Sequence, residues 1–193
     1  TVQRADEIEV VIGVEEELLQ LAIALDDKRM ALSALTYLER SASALGRLEE
    51  SVARGRDLAR RMRHERFLRS GLENIVLVNL SMSLTQLGEI DEALEVARSA
   101  FPLVEQAGRV LDLLDPYALL AFKRGHIGDA ARMLGRADMR YATGNYQREA
   151  VEPKLRDKLM PGLRDALSPD EPTRLRTESP APSAEGAPPP PRR

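Results

Sequence analysis

Cysteine and tryptophan are absent from this sequence, histidine occurs twice, and only 4% of residues are aromatic. No cysteine means no disulfide, no thiolate nucleophile and no thiolate-ligated zinc, a usage that fits a reducing cytoplasm. His64 and His126 stand far apart, with no acidic partner at metal-ligand spacing, so no metal site is expected. His126 follows a turn glycine and reads as a solvated loop residue. No apolar run approaches the ~20 residues of a membrane span, and no signal peptide is visible. The stretch Gly125-His126-Ile127-Gly128 lacks the length and the lysine of a phosphate-binding loop. There is no Gly-x-Ser-x-Gly elbow. These absences leave no cofactor and no catalytic residues to nominate. The formal net charge of −3 excludes nucleic-acid or membrane binding by bulk electrostatics.

What is abundant is leucine and alanine, the best helix formers, in a chain of 193 residues. Apolar spacing predicts a first helix over 5–24, with Ile8, Val11, Val14, Leu18/Leu19 and Leu21/Ala22 on one face and acidic residues over much of the rest. Asp26-Asp27-Lys28 breaks it. A second helix is expected over 29–45, with Leu32, Leu35, Leu38 and Ala42 inward, closed by Gly46. A third follows over 48–63. Ser70 and Glu73 have capping-box spacing before a fourth, ending at Leu87. A fifth runs over 90–107, where Pro102 predicts a kink or an early stop. A sixth, 110–123, contains Pro116, read as a kink or as the first helical position after Asp115. The seventh is 127–141. The eighth, 149–167, carries Pro161-Gly162, expected to break or bend it. Eight of the 12 prolines lie at or beyond Pro169, so 168–193 reads as a disordered, proline-rich tail.

Three glycines organise this array. Gly46-Arg-Leu-Glu-Glu-Ser51, Gly88-Glu-Ile-Asp-Glu-Ala93 and Gly125-His-Ile-Gly-Asp-Ala130 share one form: glycine, any residue, aliphatic, any residue, acidic, small. Glycine takes a turn conformation that a side chain resists. The acidic residue falls in the first turn of the next helix, where the dipole favours it. The small residue permits close helix approach.

This pattern resembles the tetratricopeptide repeat, a helical hairpin of ~34 residues. The middle copy matches best, at Leu77, Leu80, Ser81, Leu84, Gly88, Ala93, Ala97 and Ala100. The third matches at Leu114, Tyr117, Ala118, Ala121, Gly125, Ala130, Leu134 and Ala137. The first keeps Leu35, Leu38, Ala42, Ser51 and Leu58. No copy has the aromatic usual at the first core position. The resemblance implies an all-α, right-handed solenoid of helical hairpins, about seven to eight helices over 1–167. Its repeats lie roughly at 30–66, 71–107 and 109–143, with a capping helix over 149–167. Leu113–Tyr141 is also similar to the C-terminal repeat regions of bacterial ATP-dependent transcriptional regulators. That likeness implies a sensor or interaction segment, cut from a longer protein.

The function expected from this is a non-enzymatic protein–protein interaction scaffold. A groove lined by the first helix of each hairpin would take a protein or peptide partner. Its polar candidates are Tyr37, Arg40, Asn74, Asn79, Ser83, Gln86 and Lys123. A second reading is an anion-binding surface for nucleic acid or an acidic ligand along the basic run 54–69. There Arg47, Arg54 and Arg61 recur every seventh residue as a stripe. Against it stand the missing interleaved aromatics and the acidic first helix, which supplies counter-charge. A third reading is self-association through an unpaired solenoid end.

Overall fold

Asp26 takes a positive φ of 52° and Asp27 caps the helix that follows, its Oδ1 accepting the Met30 amide at 2.9 Å. The double aspartate is thus the first turn of an all-helical chain. A computed structural model describes residues 2–64, 71–143 and 152–167. Among these the α-helices are α1 (Val2–Ala24), α2 (Lys28–Leu45), α3 (Leu48–His64), α4 (Glu73–Leu87), α5 (Ile90–Gln106), α6 (Leu114–Lys123), α7 (Ile127–Thr143) and α8 (Glu152–Ala166). A short 3-10 turn, Val110–Leu113, precedes α6. No strand occurs among the described residues. The tail expected over 168–193 lies outside them, as do Glu65–Ser70 and Tyr146.

Helices α1–α4 form one unit and α5–α8 another. In the first, α1 packs on α2, α2 on α3 and α3 on α4. Leu32, Leu38, Val52, Leu58, Met62, Val76, Leu80 and Leu84 fill its core. In the second, α6 packs on α7 and α8, with α5 against α6. Ala97, Val104, Leu119, Leu134, Leu155, Leu159 and Leu163 are buried there.

The turn glycines behave as their spacing predicts. Gly46, Gly88 and Gly125 have φ of 80°, 96° and 81°, the left-handed region where any Cβ is strained. The small residue five positions after each, Ser51, Ala93 and Ala130, has no exposed surface.

Pro102 and Pro161 do not end their helices. α5 runs through Pro102 to Gln106, and α8 runs through Pro161 to Ala166. Both prolines, and Arg98 and Asp157 four residues before them, are exposed. The carbonyl that each proline deprives of a donor therefore meets water. Gly162 matters for a separate reason. A Cβ there would collide with the Phe122 ring of α6, so the glycine lets α8 lie close. Pro116 occupies the third position of α6, not the first, because helical turns begin at the 3-10 segment. Its missing N–H falls among the four that have no acceptor in any helix. Leu72, not Ser70, is the residue before α4, which puts Glu73 first rather than third.

Candidate functional site

α2 is enclosed almost all round, and one of its buried side chains is a carboxylate. Glu39 has no exposed surface. Its Oε1 accepts the Ser51 hydroxyl of α3 at 2.8 Å, and its Oε2 accepts Asn79 Nδ2 of α4 at 3.0 Å. Ser51 Oγ lies 2.9 Å from Ser83 Oγ, which donates to Ser43 Oγ at 3.1 Å. The three helices thus share a polar seam inside an aliphatic core. Burial pushes the Glu39 carboxyl up to about 7, against the hydrogen bonds from Ser51 and Asn79 and the charge of Arg40.

Proton counting agrees with that direction. While Glu39 is ionised, Ser51 donates to it and Ser83 donates to Ser43, leaving no hydrogen between Ser51 and Ser83. A protonated Glu39 can donate to Ser51, Ser51 to Ser83, and Ser83 to Ser43. Every link in the chain then holds one hydrogen.

Of the predicted groove residues, Asn79 and Ser83 therefore belong to the interior. Asn74 is buried too, its Oδ1 accepting the Ile75 amide at 2.8 Å. Gln86 is half-buried. Tyr37 is exposed, with the Arg40 guanidinium 5.2 Å from its ring centre. Lys123, in the other unit, is exposed at the end of α6.

The arginine stripe is matched by carboxylates. Arg47 reaches Glu9 of α1 at 2.5 Å, Arg54 meets Glu50 at 2.8 Å, and Arg61 meets Asp57 at 2.6 Å. Arg60 also pairs with Asp57. Burial alone would raise the Asp57 carboxyl. The hydrogen bonds and charges of Arg60 and Arg61 outweigh it and hold the group below its ordinary value. Arg54 further lines an open groove with Glu16 and Glu17 of α1. Arg66 and Arg69 lie outside the described residues.

In the second unit the polar groups tie helices together. The Tyr117 hydroxyl donates to the Ala97 carbonyl at 2.8 Å, and burial raises its pKa. Arg140 reaches Asp112 at 2.7 Å, and Arg156 of α8 grips both oxygens of Asp138 at 3.0 and 3.2 Å. His126 is exposed.

α1 supplies the other unusual surface. Its covered face, toward α2, carries Ile8, Ile12, Glu15, Leu19 and Ala22. Partial burial raises the Glu15 carboxyl against the pull of Arg40. Of the expected inward face, Ile8, Leu18, Leu19 and Ala22 are covered in whole or in part, whereas Val11, Val14 and Leu21 are exposed. The helix is turned by part of a residue step, leaving Val10, Val14, Leu21 and Leu25 exposed at 68%, 59%, 53% and 64%. Val11 is exposed beside them and Leu18 is half-buried at the border. Two aliphatic stripes run side by side in the sequence, and spacing alone does not say which one is covered.

Comparison of the chain with protein-family models, curated proteins and solved structures finds no match.

Proposed function

We propose that this chain is a non-enzymatic protein-interaction module, a helical-repeat segment of the kind found in bacterial transcriptional regulators, and that it takes its partner along α1. The observation that carries this reading is the exposed aliphatic stripe Val10–Val14–Leu21–Leu25. Aliphatic side chains this exposed, contiguous on one helix, are a usual mark of an interaction surface. Covering each fully is worth about 1.5–3 kcal/mol. The repeat reading draws support from the three left-handed glycines and the three fully buried small residues that follow them. The non-enzymatic reading draws support from Glu39, whose raised carboxyl is sealed from any substrate. With Asn74, Asn79 and Ser83 in the core, Tyr37, Arg40 and Gln86 remain as polar candidates in the first unit and Lys123 in the second.

Selection of an unbiased displayed library of helical peptides against the full chain tests this. Enriched peptides should compete with one another and lose binding to a Val14→Glu/Leu21→Glu variant that keeps its helical circular dichroism. Enrichment that ignores both substitutions, or no enrichment, overturns the proposal.

A further inference from the structure

From Asp6 to Asp27 the chain carries eight carboxylates and no lysine, arginine or histidine. Along the open side of α1, Val11, Val14, Leu18, Leu21 and Leu25 alternate steps of three and four residues, the spacing of a coiled-coil seam. Leu25 lies just past the helix end, but its amide still bonds to the Leu21 carbonyl at 3.0 Å, so the seam stays in register. Glu7 continues the same line one step before Val11, and Glu17 stands on the flank away from the covered face; both are exposed.

We propose that this seam receives a basic amphipathic helix of a partner protein, with aliphatic residues at three–four spacing and lysine or arginine beside them. The inference rests on the docking role of α1 proposed above and adds the chemistry of the occupant. The seam spans about four helical turns, at 1.5 Å of rise per residue, so the partner helix is of similar length. Opposite charge along the flanks selects it and speeds its encounter. The same charge disfavours the other occupants. A second α1 would set Glu7, Glu17 and their neighbours against an equally acidic copy, with no cation on either helix over 6–27 to answer them. An anionic lipid surface or a nucleic acid meets the same repulsion.

The test uses the full chain and two labelled peptides with one shared aliphatic seam, the first flanked by lysines and the second by glutamates. The lysine peptide should bind at least about tenfold more tightly. That preference should shrink between ~50 mM and ~500 mM salt. Val14→Glu/Leu21→Glu should abolish binding. Glu7→Lys/Glu17→Lys should weaken the lysine peptide and strengthen the glutamate peptide, with circular dichroism unchanged. Equal affinity for both peptides, lost in Val14→Glu/Leu21→Glu, overturns the basic partner and leaves docking on α1 standing. Binding that survives Val14→Glu/Leu21→Glu, or no binding of either peptide, overturns both. A concentration-dependent dimer in sedimentation, abolished by Val14→Glu/Leu21→Glu, assigns the seam to a second copy and overturns the basic partner alone.

Discussion

Ser51 of α3 donates its hydroxyl to Glu39 of α2 at 2.8 Å, in a place where neither residue touches solvent. The two positions have counterparts in the other glycine-aligned segments. Glu39 lies as far before Gly46 as Ser81 lies before Gly88 and Ala118 before Gly125. Ser51 corresponds to Ala93 and Ala130. Small residues stand at both positions in the other two segments, where this one has an acid and a hydroxyl.

Stability should fall as pH rises through the range in which Glu39 ionises. Its folded-state pKa is raised from 4.5 to about 7. Between those values the folded chain holds a proton that the unfolded chain has lost, so the contribution is complete below 4.5 and gone above about 7. The size is up to about 3 kcal/mol, at 1.36 kcal/mol per unit. Denaturant melts of the wild type and of Glu39→Gln at intervals across this window check it. The glutamine variant should lack that slope and should be the more stable of the two at pH ~8, where only the carboxyl is charged. Equal slopes would refute the assignment.

Gly55 is a mid-helix glycine, normally a cost of about 1 kcal/mol against alanine. Here a Cβ would meet Leu80 Cδ1 at 3.0 Å and Leu80 Cβ at 3.2 Å. Leu80 is buried and its Cβ cannot swing aside. Gly55→Val should therefore destabilise by about 1–3 kcal/mol through overpacking. Leu80→Ala should recover part of that loss. A double-mutant cycle read by thermal melts gives the coupling, and additive losses would contradict the close contact.

Ala93 has no exposed surface. Ala93→Arg would force a long cation into a filled site and should lower stability by about 3 kcal/mol or more. The measurement is the melting temperature. An unchanged value would remove Ala93 from the buried positions that define the repeat alignment.

Because Arg47, Arg54 and Arg61 each hold a carboxylate, the stripe should bind little DNA. Titration with random duplex at ~50 mM salt should show no association, the condition in which phosphate contacts are strongest. Tight binding that falls steeply with added salt would restore the nucleic-acid reading.

The sequence makes the helices readable because glycine, aspartate and aliphatic spacing act locally. Gly46, Gly88 and Gly125 needed no partner to be recognised as turns. Pro102 and Pro161 show the limit of that locality, since neither ends its helix. Their local cost is real, but whether water can reach the freed carbonyl is settled by which side of the helix faces solvent. α1 carries two adjacent aliphatic stripes, and only α2 decides between them. Glu39 is the buried residue that spacing does not flag, because charged residues belong outside as a rule. Its one sequence cue is positional: a glutamate stands where the other two segments have Ser81 and Ala118.

The polar seam also constrains how this chain can change. Replacing Glu39 by the alanine or serine of the other segments would strip Asn79 of its acceptor, take one partner from Ser51 and leave a hole between three helices. Replacing Ser51 by alanine would leave a buried acid short of a donor. Neither step alone leads to the small residues of the other segments, so these positions form an epistatic set. Across descendants of this sequence, residues 39, 51 and 79 should drift together or not at all.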